Sequence, residues 1–288
     1  MLDESKALFP PLPPLSRRGF VATSLATAGY TLAAGPVAAQ TVVRTDSQGL
    51  TAGDIKIPVS GGEMGGYRAK PASGSGHPTV IVCQEIFGIH EYIKDTCRRL
   101  AKEGYLAVAP DYYFRQGDPS KASDVQGAAA IANKKPDSEL LGDLDATARW
   151  AASDGGSPQK LGVTGFCRGG RATWMYAAHN PNLKAAVAWY GPVVGQASEL
   201  TPKFPIDLAA EMKCPVLGLY GAADTGIPVD TVKRMEEALK AANKPHEFVI
   251  YPEAPHAFHA DYRPTYRAEP AKDGWSRMLA WFKKYGVA

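Results

Sequence analysis

Several features that mark other classes of protein are missing from this sequence. No apolar run reaches the roughly 18 residues of a transmembrane helix, which excludes a protein with several spans, and no stable membrane anchor is expected. Metal-binding spacings such as His-Glu-x-x-His or Cys-x-x-Cys are absent, and no glycine-rich phosphate loop follows the first buried strand. We therefore expect no metal and no other cofactor. The net charge is only +3 and no long basic run occurs, so nucleic acid is not an expected partner.

The composition is that of an ordinary globular protein. Of the 288 residues, 45% are hydrophobic and 21% are charged, which suffices for a sizeable core. Neither an internal repeat nor a long Gly/Ser linker divides the chain after its first 39 residues. We therefore expect one domain over residues 40–288.

Apolar strands alternate with helices along this domain. Asp54–Val59 and Gly66–Pro71 predict a leading antiparallel pair. Six further strands are predicted at Pro78–Gln84, Tyr105–Pro110, Leu161–Phe166, Lys184–Tyr190, Pro215–Tyr220 and Glu247–Tyr251, and helices at Glu91–Glu103, Asp137–Ser153, Gly169–His179, Val229–Ala242 and Lys272–Tyr285. Continuous apolar strands between helices favour an α/β fold with a mostly parallel central sheet and helices on both faces.

The first 39 residues have the pattern of an export signal. The run Ser16–Val21 (S-R-R-G-F-V) precedes a mildly apolar stretch rich in Ala, Thr and Gly, and resembles a bacterial twin-arginine signal. Small residues at Val37–Ala39 suit a cleavage site that would leave a mature chain starting near Gln40. We expect recognition by the export machinery and a periplasmic or secreted location.

An oxidising compartment permits disulfides, so the four cysteines need attention. Cys83 lies within an apolar strand and Cys214 directly before another, so both are expected to be buried small apolar residues. A bridge between Cys83 and Cys97 stays open at this point.

The run Leu161–Arg171 (L-G-V-T-G-F-C-R-G-G-R) contains the most informative motif. Gly165 and Gly169 flank Cys167 at the junction of a predicted strand and helix, which is the pattern of a nucleophile elbow. The turn is sharp, so its flanking residues must be small, and the helix that follows directs its N-terminal amides at the apex. Cys167 is the candidate nucleophile. The alternative is a glycine-rich turn with an inert buried cysteine.

A nucleophile of this kind needs a histidine base, and the base needs an orienting carboxylate. In hydrolases with such an elbow the chain order is nucleophile, acid, histidine. Asp224 and His256 directly follow the last two predicted strands, so both are expected in loops at the carboxyl edge of the sheet. Asp230 and His259 are rivals. Asp230 stands at an expected helix start, where acids cap or face the dipole, and His259 is expected to be a pocket or surface residue.

Five segments together resemble the dienelactone hydrolase family (carboxymethylenebutenolidases). They are Gln84–Gly88 (Q-E-I-F-G), Pro110–Tyr113 (P-D-Y-Y) with Arg115 after it, Gly165–Gly170 (G-F-C-R-G-G), and the loops that hold Asp224 and His256. The resemblance covers most of the chain after the leader. It implies an α/β-hydrolase fold and the hydrolysis of a small activated ester or lactone through an acyl-thioenzyme.

The resemblance also implies catalytic roles for the matching residues. Cys167 would be the nucleophile, His256 the base and Asp224 the orienting acid. Glu85 would be a fourth participant, which touches the resting thiol and takes its proton when substrate enters.

Binding roles follow in the same way. The backbone N–H groups of Ile86 and Arg168 would form the oxyanion hole. Phe87 and Tyr190 would line the substrate pocket, and Arg115 would bind a substrate carboxylate.

One substrate-binding position departs from the family. The family has a second substrate arginine four residues after the histidine, where this chain has Ala260. Arg263 or Arg267 could replace it, and we take Arg263 as the candidate. The export signal is also atypical for an enzyme of cytoplasmic aromatic degradation, which weakens the expectation of a dienelactone substrate in particular. Two other functions stay open, a catalytically silent binding protein with a hydrolase fold and a thiol-based redox protein of the cell envelope.

Overall fold

The computed structural model of the protein describes residues 43–288. The predicted export signal at residues 1–39 lies outside the described residues. In the described part of the chain, no helix combines the length and apolarity needed to cross a membrane.

Eight strands of residues 43–288 form one sheet with the order β1-β2-β4-β3-β5-β6-β7-β8. They are β1 (Leu50–Val59), β2 (Gly62–Pro71), β3 (His77–Cys83), β4 (Leu106–Pro110), β5 (Gly156–Phe166), β6 (Leu183–Trp189), β7 (Val216–Gly221) and β8 (His246–Tyr251). β2 is antiparallel to both of its neighbours, and every other pairing is parallel. The predicted α/β class and the leading antiparallel pair are confirmed.

The strands are connected through six α-helices of the described chain. These are α1 (Glu91–Lys102), α2 (Val125–Ala132), α3 (Asp137–Ser153), α4 (Arg168–His179), α5 (Val229–Ala241) and α6 (Ala268–Lys284), with short 3-10 helices at Pro119–Lys121 and Pro205–Glu211. α1 meets α6 where the Arg99 guanidinium lies 5.3 Å from the centre of the Trp275 ring. α3 meets α4 where the Tyr176 hydroxyl donates to Asp145 at 3.0 Å. The helices cover both faces of the sheet, as in the α/β-hydrolase fold.

Two helical segments differ from the sequence prediction. α2 was not expected, because its sequence V-Q-G-A-A-A-I-A lacks an amphipathic stripe; its start is fixed by Asp124, whose carboxylate accepts the Gly127 N–H at 2.7 Å. α6 begins four residues earlier than predicted. Pro270 lies in the first helical turn, where a missing N–H costs no intrahelical bond.

The sheet topology determines where a site can form. The chain leaves β3 for β4 on one side and later enters β5 on the other side of β3, so the loops after β3 and β5 diverge. A crevice opens at the carboxyl ends of parallel strands at such a switch point. Glu85 follows β3 and Cys167 follows β5, so both residues lie at this crevice.

All four cysteines belong to the described residues, and none of them forms a disulfide. The Cys83–Cys97 bridge that the sequence left open is therefore absent. Cys83 and Cys214 are buried as expected, and burial raises the pKa of each thiol to about 12.

Candidate active site

Cys167 occupies the sharp turn between β5 and α4. Its backbone angles are φ 57° and ψ −119°, in the left-handed region that non-glycine residues rarely adopt. A Cβ atom on Gly165 would collide with the carbonyl oxygen of Gly169, and one on Gly169 would collide with that of Cys83. The turn therefore requires glycine on both sides of the cysteine, which is the geometry of a nucleophile elbow.

The residues expected to form a triad lie together. The His256 Nδ1 atom is 2.7 Å from Asp224 Oδ2, and the ring also interacts with the Cys167 side chain. The other Asp224 oxygen accepts the N–H groups of Gly226 and Ile227 at 2.9 and 3.1 Å, which fixes the carboxylate in its loop. Cys167, His256 and Asp224 are all buried.

Its neighbours determine the charge of His256. Burial alone would lower the pKa of His256. The negative charge of Asp224, its hydrogen bond to the ring and the interaction with Cys167 outweigh burial and raise the pKa to about 10. The environment therefore stabilises the imidazolium, the form that results when the histidine accepts a thiol proton.

Glu85 and its partners form a second charged group. Glu85 is completely buried, and its Oε2 atom accepts the Tyr262 hydroxyl at 2.6 Å and lies 3.4 Å from His90 Nε2. The Tyr262 oxygen in turn accepts Arg263 Nε at 3.0 Å. Burial would raise the pKa of Glu85, but the Arg263 charge and the contacts with His90 and Tyr262 lower it to about 2. The surroundings of Glu85 thus hold it as a carboxylate.

The second oxygen of Glu85 is in a different situation. Oε1 is buried and has no hydrogen-bond partner in the described chain. A buried carboxylate oxygen without a donor is costly, and it can accept a proton or a water hydrogen. Within residues 43–288 no three His, Cys, Asp or Glu side chains come close enough to hold a metal ion.

The two amides expected to bind an oxyanion are available. Arg168 is the first residue of α4, where a backbone N–H has no partner within the helix. Between residues 43 and 288, no backbone carbonyl of a turn or loop accepts the N–H of either Ile86 or Arg168. The N–H of Cys167 itself is not available, because it donates to the Trp189 carbonyl at 3.0 Å.

Two buried aromatic side chains contact the charged groups. The Phe87 ring lies under the Arg263 guanidinium at 4.9 Å. The edge of the Tyr190 ring meets His256 at a centroid distance of 5.2 Å, and Tyr190 has a positive φ of 36°. The pocket-lining role expected for both residues stays a prediction.

Arg115 is held by groups outside this cluster. Its Nη1 atom lies 2.8 and 3.1 Å from the two oxygens of Asp143, and Nη2 donates to the Ser60 carbonyl at 2.7 Å. Binding of a substrate carboxylate would compete with this ion pair. The role expected for Arg115 stays a prediction.

The structure separates the two candidates for the missing arginine. Ala260 is buried and cannot supply charge. Arg267 is exposed and donates to two neighbouring backbone carbonyls. Arg263 is 5% exposed and lies beside Glu85 and Phe87. Arg263 is thus the arginine that faces the triad side of the crevice.

Sequence reasoning missed two residues of this region. Tyr262 and His90 contact Glu85 directly, and only their proximity to Arg263 and to the segment Gln84–Gly88 could have indicated it. His259 was expected to be a pocket or surface residue. Its ring is 2% exposed, its Nδ1 atom lies 2.6 Å from the Tyr92 oxygen, and the residue lines a pocket near α6.

Comparison with known proteins finds chains of similar sequence and a similar fold. The model of the dienelactone hydrolase family matches residues 64–286. A protein of Methylorubrum extorquens, named as a candidate carboxymethylenebutenolidase, is 59% identical over 276 residues, which are 95% of this chain and 94% of that one. A Salmonella typhimurium protein of the same name is 53% identical over 266 residues, 92% of this chain and 98% of its own. The crystal structure of a candidate dienelactone hydrolase from Klebsiella pneumoniae superimposes with a TM-score of 0.80 at 57% identity, over 82% of this chain and 99% of the other.

Proposed function

This chain belongs to the dienelactone hydrolase family, an ester and lactone hydrolase family, and from that premise we propose that it cleaves activated esters or lactones through a cysteine acyl-enzyme. The observation that carries the proposal is the buried His256, which is hydrogen-bonded to Asp224 and interacts with the Cys167 side chain at the elbow. A thiol, a base and an orienting carboxylate in this order are the requirements of nucleophilic acyl transfer.

Acylation would begin with transfer of the Cys167 thiol proton to His256. The sulfur attacks the carbonyl carbon, and the resulting oxyanion is bound by the amides of Ile86 and Arg168. One such donor is worth about 2.7–4 kcal/mol of barrier. The tetrahedral intermediate then expels the alcohol or enol oxygen, which takes the proton from His256, and the acyl group remains on sulfur.

Deacylation would use a water molecule in place of the leaving group. His256 can take a proton from this water, and the buried Oε1 atom of Glu85, which has no hydrogen-bond partner within residues 43–288, can accept a hydrogen bond from it. Attack on the thioester gives a second tetrahedral intermediate, from which the carboxylic acid leaves and the thiol is restored.

The chemistry of sulfur limits the substrate. A thiolate leaves a tetrahedral intermediate more readily than an alkoxide does, so an ordinary alkyl ester would return to starting material. Enol esters, aryl esters and lactones with an enol oxygen have leaving groups that compete with the thiolate. Arg263, over the Phe87 ring, provides a place for a substrate carboxylate. We therefore expect activated esters or lactones that carry a carboxylate.

The leader at residues 1–39 favours action outside the cytoplasm. If it acts as a twin-arginine signal, the enzyme is folded before export and works in the periplasm or beyond. The partners implied are then the export machinery and a small-molecule substrate.

Cys167→Ala in the purified protein tests the proposal directly. We expect loss of p-nitrophenyl acetate turnover and of the acetylated protein seen by mass spectrometry after brief incubation. Cys167→Ser should retain little activity, because the neighbouring groups suit a thiol. Cys214→Ala, at a buried cysteine near the start of β7, is the matched control and should keep both signals. Turnover that survives in C167A would contradict the assignment, and an unmodified protein that never forms an acyl adduct would favour a silent binding protein.

A further inference from the structure

Residues 43–48, which we call the N-terminal strap, are an irregular segment tied to two distant parts of the chain. The Val43 N–H donates to Asp261 Oδ2 at 2.5 Å, across 218 positions of sequence. The Thr45 N–H donates to Asp95 Oδ1 at 2.6 Å, across 50 positions. Both acceptors are buried carboxylates, with 3% and 0% exposure for Asp261 and Asp95. Hydrogen bonds to buried charged acceptors are stronger than those between neutral groups.

One end of the strap is fixed to α1. The Thr45 carbonyl accepts Arg98 Nε at 2.7 Å, and the Gln48 carbonyl accepts Lys102 Nζ at 2.8 Å. Asp95 lies between the strap and two arginines, 2.8 Å from Arg99 Nε and 3.2 Å from Arg98 Nη2. Side chains of α1 therefore satisfy the polar backbone groups of this segment in place of a neighbouring strand.

The other end of the strap is fixed to the loop between β8 and α6, residues 252–267. Asp261 lies in this loop directly before Tyr262 and Arg263. Burial raises the pKa of Asp261, while the Val43 N–H and the Arg99 charge act against it. Loss of the Val43 donor would leave a buried carboxylate with less support.

These two anchor regions carry opposite halves of the candidate site. α1 begins directly after the segment that holds Glu85 and His90. The β8–α6 loop holds His256, Tyr262 and Arg263, so the contact between Glu85 and its partners crosses from one region to the other. The strap is hydrogen-bonded to the same two regions, to α1 through Asp95 and to the β8–α6 loop through Asp261.

We propose that the N-terminal strap is a positioning element of the active site, which holds the β8–α6 loop against α1 and so keeps Tyr262 and Arg263 on Glu85. This inference rests on the proposed function only where it concerns turnover. The inference also limits where the leader can be cleaved, because cleavage near Gln40 would leave the strap whole, whereas removal of residues through 48 would destroy it.

The test is Val43→Pro in the otherwise unmodified chain, with Val43→Ala as its matched partner. Proline removes the N–H that Asp261 accepts, whereas alanine shortens the side chain and keeps the donor. We expect V43P to speed amide hydrogen exchange in residues 252–267 and to leave exchange around the elbow at Cys167 unchanged. We expect kcat/KM for an anionic aryl ester to fall about tenfold or more, since small displacements of site residues are costly in rate. V43A should resemble the unmodified protein in both measurements.

Each result bears on one proposal or the other. Equal exchange in V43P and V43A would overturn the strap inference and leave the hydrolase proposal untouched. Faster exchange with unchanged kcat/KM would overturn the positioning role. If V43P shows faster exchange but neither the unmodified protein nor the variant turns over any ester, the result would support the strap and count against the proposed function. If V43P fails to fold, Asp261→Asn replaces it. This substitution keeps the shape of the acceptor and removes its charge, and it should speed amide hydrogen exchange in the same loop.

Discussion

Asp224→Asn changes the proposed triad with little change of shape. The asparagine oxygen can still accept the N–H groups of Gly226 and Ile227, which now fix the Asp224 carboxylate at 2.9 and 3.1 Å. The fold of the loop should therefore survive. What changes is the partner of His256 Nδ1, which becomes a neutral amide. If its NH2 group faces the ring, the Nδ1 proton is displaced to Nε2, the atom that must accept the thiol proton.

The size of the effect follows from the charge of His256. In the native site its pKa is about 10, against an ordinary value of 6.5, although burial opposes the shift. Without the carboxylate, burial still lowers the pKa and only the interaction with Cys167 still raises it, so the pKa should fall well below 10. If it falls to the ordinary value, the change of about 3.5 units corresponds to about 5 kcal/mol of lost imidazolium stabilisation, or about three to four orders of magnitude in rate. The same exchange in a serine triad costs about 10⁴ in kcat.

The assay is kcat/KM for p-nitrophenyl acetate, together with an NMR titration of the His256 ring from pH 5 to 10. Asp230→Asn is the control, because Asp230 is an exposed acid six positions away, in the first turn of α5. It should leave both measurements unchanged. A D224N variant that retains more than a tenth of the native kcat/KM, or a His256 pKa that stays near 10, would refute the reasoning.

Three further substitutions test other parts of the site. Arg263→Gln should lower kcat/KM for anionic esters about tenfold to a hundredfold relative to neutral ones, because a hydrogen bond to a charged group is worth about 1.5–3 kcal/mol; paired esters with and without a carboxylate measure the ratio. Gly169→Ala places a Cβ against the Cys83 carbonyl and should destabilise the fold by at least about 1–3 kcal/mol in urea unfolding, with backbone rather than a side chain in the way. Tyr262→Phe removes the 2.6 Å donor to Glu85, so its depressed pKa should rise. A carboxyl group whose pKa is depressed in the folded state stabilises the fold above its unfolded pKa, here 4.5, and that stabilisation is lost as the pH falls through the folded pKa of about 2. The free energy of unfolding should therefore differ fully between the native and Y262F proteins at pH 7, and the difference should shrink below pH 4.5.

The sequence indicated most of the fold because the strands are continuous apolar runs. β4 and β7 are buried along their whole length, and such strands contrast sharply with the polar segments between them. α2 was missed because it is short, rich in alanine and only partly buried, so its residues show no period. Errors of this kind leave the sheet order intact, since α2 lies within the connection from β4 to α3.

The proximity of Cys167, His256 and Asp224 could be predicted because each follows a parallel strand, and the loops after such strands meet at one edge of the sheet. Tyr262 and Arg263 could not be placed in the same way. They lie deep in a loop of irregular structure, whose path depends on contacts such as that of Asp261 with Val43. A contact between residues so far apart in the sequence produces no periodic pattern that could reveal it. The ion pair that holds Arg115 was hidden for a related reason, since Asp143 is on a separate helix, 28 positions away.

The arrangement of charge around Cys167 bears on how substrate is selected. On one side His256 is paired with Asp224, and on the other Glu85 is held as an anion beside Arg263. With a pKa of about 2, Glu85 is too weak a base to take a proton from a thiol or water at neutral pH. A substrate carboxylate that binds Arg263 removes the strongest support for the Glu85 charge and adds a negative charge nearby, and both changes raise the pKa of Glu85. An anionic substrate would then activate Glu85 as it binds, whereas a neutral one would depend on His256 alone. The preference for anionic substrates should therefore be found in kcat as well as in KM.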